Sequence, residues 1–150
     1  MHLKLIEIDS PEYAQALQLR YRLFYKVHGI AFDTIASPQE KHHQHLALVD
    51  EQTNQLLAYG QLGQNSPNEF QIYQMVVEPS YQMQGLGRRI LETLVERAIA
   101  QGAIHLVLHA RVTKVGFYQR SGFTAIGKVF PSPQTGVPHI KMTRTVANVA

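Results

Sequence analysis

The chain is expected to fold as an α/β protein of the α+β kind: a mixed, mostly antiparallel sheet of about seven strands flanked by helices. Three observations point there. Seven short apolar or alternating runs read as strands, helical periodicity appears between only some of them, and 150 residues suit one domain spanning residues 1–150. A doubly wound parallel sheet needs a long crossover between successive strands, and several connections here are too short for one.

The first strand is read over residues 3–8. Ser10 then offers an N-cap and Pro11 a first helical residue, ahead of Leu17, Tyr21, Phe24 and Val27, with His28-Gly29 as the stop. Residues 31–44 form the one long irregular segment, a candidate binding or mobile loop. Strands follow at 46–49 and 56–62, and the short polar stretch between them reads as a hairpin, so that pair should be antiparallel. After a strand at 70–77, Leu86, Ile90, Leu91, Leu94, Val95, Ala98 and Ile99 recur at helical spacing until Gln101-Gly102. A strand at 104–109 leads to a short helix between Thr113 and Ser121-Gly122, with Val115 and Tyr118 or Phe117 turned inward. Strands at 123–130 and 137–142 finish the order.

Composition removes several chemistries. With no cysteine there is no disulfide, thiolate metal site or cysteine nucleophile. No run reaches the roughly 18 apolar residues of a membrane span and the N-terminus lacks a signal-peptide core, so a soluble cytoplasmic protein is expected. The net charge of +3 conceals an asymmetry: all 11 acidic residues lie at or before Glu96, leaving that part at −4 and the rest at +7. A positive field over one end suits an anionic partner. The basic part carries its aromatics in apolar patterns and no basic helical stripe, which argues against nucleic acid.

Gly85 and Gly87 stand where the strongest helix begins, just after the strand carrying Met75, Val76 and Val77 and the Glu78-Pro79 stop. Glycine lets backbone N–H groups approach an anion, and a helix N-terminus adds unpaired donors and about half a positive charge, so a pyrophosphate fits. Arg88 and Arg89 oppose the helix dipole unless an anion is bound nearby. A dinucleotide fingerprint fails, because Ile90 stands where a third glycine belongs and no acidic residue follows Glu96 to hold a ribose. The segment from Gly122 to Lys128 begins like a P-loop, but Val129 replaces the Ser or Thr and the stretch alternates like a strand. His42, His43 and His45 lack carboxylate partners, and His105 and His109 share a strand face without the Glu of a zinc-binding helix, so no metal is expected.

The run Gln82-Met83-Gln84-Gly85-Leu86-Gly87-Arg88 resembles the coenzyme A motif Q/R-x-x-G-x-G/A of the GNAT acetyltransferases, and Phe117-Tyr118-Gln119-Arg120-Ser121-Gly122-Phe123 is similar to that family's F-Y-x-x-x-G-F. The order of strands and helices agrees along nearly the whole chain. Ala110-Arg111 and the stretch from Gly136 to Met142, with Pro138-His139-Ile140, resemble the ElaA-like branch. Arg20 and Leu23-Phe24 fit that branch's first helix, whereas Val27-His28 and the loop from Pro131 to Gln134 depart from it.

The resemblance implies a GNAT fold and an acyl-CoA-dependent N-acetyltransferase with acetyl-CoA as co-substrate and a small-molecule amine or amino-acid derivative as acceptor. In that reading Met75, Val76 and Val77 offer backbone to the pantetheine arm, and the N–H groups from Gln84 to Arg88 hold the pyrophosphate. The amine attacks the thioester directly, and Tyr118 is the general acid for the departing thiolate. His139 is expected to line the acceptor site. Glu69, Glu78, Glu40 and several histidines are open candidates for the base, and water could serve instead. Members often pair as homodimers, although nothing here selects a surface. The alternative function is an acyl-CoA-binding sensor without catalysis.

Overall fold

The computed structural model describes residues 1–146, so the last four residues of the expected 1–150 unit lie outside it. Seven strands form one sheet: β1 His2–Ile6, β2 Gln44–Val49, β3 Leu56–Ser66, β4 Glu69–Val77, β5 His105–Arg111, β6 Thr124–Pro131 and β7 Pro138–Thr145. Their order is β1-β2-β3-β4-β5-β7-β6, antiparallel throughout except where β4 meets β5. All seven expected strands are present, with ends shifted by a few residues. The largest extension is β3, which continues four residues beyond Leu62 because its partner β4 keeps supplying ladder bonds as far as Ser66 opposite Glu69.

Helices α1 Pro11–Arg20, α2 Leu86–Ala100 and α3 Val115–Gln119 cover the two faces. The continuous apolar run of β2 follows from burial on both sides. Leu46 and Leu48 pack with Ile90, Leu91, Leu94 and Ala98 of α2, while Ala47 and Val49 pack with Tyr13 and Ala16 of α1. Removing one of the Leu, Ile or Val side chains from water contributes about 1.5–3 kcal/mol.

The first helix departs from expectation. Ser10 caps it through the Tyr13 N–H, but regular α-helix ends at Arg20 rather than reaching His28-Gly29. Residues Tyr21–Tyr25 form a π turn, Lys26–His28 a 3₁₀ turn, and Gly29 closes it at φ 70°. Three consecutive residues of an α-helix fan across about 200°. The wider turn lets Leu23, Phe24 and Tyr25 all meet protein. Segment 31–44 is not a featureless loop: it holds 3₁₀ turns at Phe32–Thr34 and Pro38–His42, the second closed by a reciprocal Ser37–Glu40 capping box.

The feature that positions the site lies at the parallel junction. Pairing between β4 and β5 runs only from Glu69 opposite His105 to Ile72 opposite Leu108. Beyond it β4 continues to Val77 and β5, still paired to β7, continues to Arg111 opposite His139. A bulge marks the parting: Gln74 has φ 55°, and the β3–β4 register shifts between Tyr59–Val76 and Gln61–Tyr73. The sheet is therefore slotted between the ends of β4 and β5.

Candidate active site

On the α2 face of the slot, β4 ends at Val77 and the chain turns through Pro79–Tyr81, with Gln82 Nε2 donating to the Val77 carbonyl at 3.1 Å. Met83 is fully exposed at φ 65°, and Gly85, at φ 81°, is the N-cap of α2 with no side chain capping it. The first bond inside the helix runs from Arg89 N to Gly85 O at 3.1 Å, so the N–H groups of Leu86, Gly87 and Arg88 have no intrahelical acceptor. A Cβ on Gly85 would meet nothing within 4 Å, whereas one on Gly87 would lie 3.5 Å from Val77 and from Phe117. The first turn of α2, the end of β4 and helix α3 thus converge. Gln84 and Arg89 are exposed beside them, and Arg88 Nε donates to Glu92 at 2.8 Å, which tempers the expected conflict with the dipole.

Tyr118 sits on α3, edge-on to Phe117 at 5.0 Å and to Phe123 at 6.3 Å. Its hydroxyl has no hydrogen-bond partner among the described residues, and burial pushes the phenol up to about 12. It therefore stays protonated through the physiological range. Met75, Val76 and Val77 lie on the part of β4 beyond the last pair with β5.

The opposite face of the slot is built by β5, β7 and the π turn. The Arg111 guanidinium lies 4.7 Å from the Phe24 ring centroid, and the Phe130 ring stands 5.3 Å from His109 and 6.2 Å from His139. His139 Nδ1 bonds the Val137 carbonyl at 2.7 Å. Burial, with Lys141 and His139 nearby, lowers the His109 pKa.

The structure does not bring every candidate together. Glu69 is at the opposite end of β4, accepting from Asn65 at 2.9 Å; eight residues of strand, about 26 Å, separate it from Val77. Glu78 is paired with Arg22 at 3.3 Å. Glu40, one of the open candidates for the base, is instead a structural carboxylate. Although burial opposes its charge, the forked Arg20 guanidinium at 2.8 and 2.9 Å, the Ser37 N–H and the Tyr13 hydroxyl hold its carboxyl down to about 2. The three clustered histidines also diverge. His42 is exposed, His43 bonds Gln61 and stacks on Tyr73 at 4.6 Å, and buried His45 bonds Tyr59 and the Glu40 carbonyl. This polar network under α1 escaped the reading of the sequence, although Ser37-Pro38-Gln39-Glu40 is a legible capping box that could have exposed it.

Comparison with known proteins agrees with this fold. The sequence profile of the acetyltransferase (GNAT) domain matches residues 22–146. Escherichia coli ElaA superposes with a TM-score of 0.77 at 19% identity, covering 95% of this chain and 98% of that one. An aminoglycoside 6'-N-acetyltransferase complexed with coenzyme A gives 0.77 at 17% identity, over 100% and 99%. At such identities the likeness speaks for the fold. A chloroplastic serotonin N-acetyltransferase 2 of Oryza sativa subsp. japonica is 42% identical over 52 residues, 35% of this chain and 26% of that protein. Matches to other curated relatives span 18% and 27% of their lengths.

Proposed function

Because the chain belongs to the GNAT acetyltransferase family, we propose that its residues 1–150 act as one domain that transfers an acetyl group from acetyl-CoA to the primary amine of a small molecule or amino-acid derivative. The observation that carries this reading is the slot between β4 and β5, with unpaired α2 N–H groups at its rim and Tyr118 beside it.

The chain's residues fit the ligand. The N–H groups of Leu86, Gly87 and Arg88 and the positive end of α2 would hold a pyrophosphate, and Gly85 leaves open space for it. Along Met75, Val76 and Val77 the edge of β4 turned away from β3 has no strand neighbour and would accept an amide-bearing arm in the manner of one. Acetyl-CoA supplies the activated acyl carbon. The slot aligns an incoming amine with that carbon, so that the new C–N bond forms as the C–S bond breaks, without an acyl group on the enzyme. Tyr118 Oη gives its proton to the departing sulfur, and the amine's proton leaves through water.

Two measurements test this. Acetyl-CoA at 100 times its Kd should add about 2.7 kcal/mol to stability, seen as a rise in Tm; no rise at millimolar concentration would remove the reading. Tyr118→Phe should keep that rise and lose about 100-fold or more in kcat. Unaltered turnover would dismiss Tyr118 as the acid.

A further inference from the structure

Four polar side chains share one face of the β5–β7 pair, His109 and Arg111 on β5 opposite Lys141 and His139 on β7, and Arg111 and Lys141 are fixed cations. Among them Arg111 is unusual. Of the arginines that are not exposed, Arg20 is bound by Glu40, Arg97 by Gln44 Oε1 at 2.9 and 3.1 Å, and Arg144 by the Ser121 carbonyl at 3.1 Å. Arg111 has no oxygen partner among the described residues, and its nitrogens are not sealed away from solvent. What holds it is the Phe24 ring, 4.7 Å below the guanidinium carbon. Phe24 packs with the α1-side cluster of β1 to β4, so this contact bridges the mouth of the slot. An arginine laid on an aromatic face keeps the in-plane N–H donors of its fork free, and that fork matches a planar or tetrahedral oxyanion. No acidic residue follows Glu96, so this wall of the slot has no carboxylate of its own.

We infer that Arg111 is the specificity anchor of the acceptor site, and that the acceptor is an amine bearing an oxyanion, a carboxylate or a phosphate, with Lys141 adding to the positive field. This rests on the acetyl-transfer reading. The oxyanion docks on the Arg111 fork, which leaves the amine end of the same molecule directed into the slot.

The test measures coenzyme A thiol release with three panels of amines: L-amino acids, aminoalkyl phosphates, and the decarboxylated counterparts of the same amino acids. One anionic panel should exceed the neutral amines by at least about 10-fold in kcat/KM, and which panel does so identifies the oxyanion. Arg111→Gln should erase that preference, raising KM by about 10- to 100-fold while the acetyl-CoA-induced rise in Tm is unchanged. Arg111→Lys, which keeps charge but not the fork, should recover part of it. If neutral amines react equally well, or the preference survives Arg111→Gln, the inference fails and acetyl transfer stands. Thiol release with none of the panels overturns both. Should Arg111→Gln melt early, the wild-type panels and Arg111→Lys decide alone.

Discussion

The Glu40 carboxylate accepts five hydrogen bonds, from Tyr13, Ser37, Gln61 and twice from Arg20, and neither partner of the ion pair is more than 6% exposed. Coordination of that density locks a carboxylate in its charged form. Arg20→Ala strands a buried charge, for which a loss of about 3–5 kcal/mol is expected, read as a lower denaturant midpoint. A loss below 1 kcal/mol would contradict the burial. Residues 20 and 40 meet through tertiary folding, and nothing in their spacing announced it, so Glu40 read as one acid among several. Tyr118 was legible for the opposite reason: its neighbours Phe117, Gly122 and Phe123 form a contiguous pattern that needs no long-range contact to recognise. Arg111 stood within a recognised dipeptide, but its lack of a counter-ion emerges only once the other arginines that are not exposed, Arg20, Arg97 and Arg144, have found their partners.

At the level of elements, the strands and α2 were readable because each presents an apolar period and a glycine stop. The limits of α1 were not. Helical spacing of Leu17, Tyr21, Phe24 and Val27 continues past Arg20, yet packing widens the next turn and leaves Val27 80% exposed. The slot was equally hidden, since it depends on a bulge at Gln74, a residue without the usual tolerance for positive φ. Gly60 faces that bulge, and a Cβ there would fall 2.9 Å from Ile90 and 3.0 Å from Leu94 and Met75. Gly60→Ala should therefore push α2 off β3 and destabilise by about 1–3 kcal/mol, measured by thermal melting; a neutral result would mean that the side chains yield freely. Gly85→Ala meets no atom but must hold φ 81°. It should lose about 1–2 kcal/mol, and acetyl-CoA should bind it more weakly.

For the molecule as a whole, buried titrating groups set a stability window. His45, depressed below its ordinary 6.5 by burial, is neutral in the fold, so the unfolded chain binds more protons and stability falls as pH drops through that value. Glu40 adds a second loss between 4.5 and about 2. Burial raises Tyr118 and Tyr13 to about 12, so the unfolded chain releases protons first and stability falls again from pH 10 to 12. Tm should be level between roughly pH 7 and 10 and drop on both sides; a Glu40→Gln variant that kept the full acid limb would refute the assignment. The parting of β4 from β5 has a further consequence for the whole sheet. An ordinary open sheet has two edges, at β1 and β6 here; this one has four, two of them facing each other across its middle. Unpaired interior edges invite pairing with foreign strands and rapid amide exchange. Backbone amides of residues 73–77 that turn away from β3 should thus exchange with solvent faster than those of central β2 and slow when acetyl-CoA is added, as the sheet regains the strand it was built without.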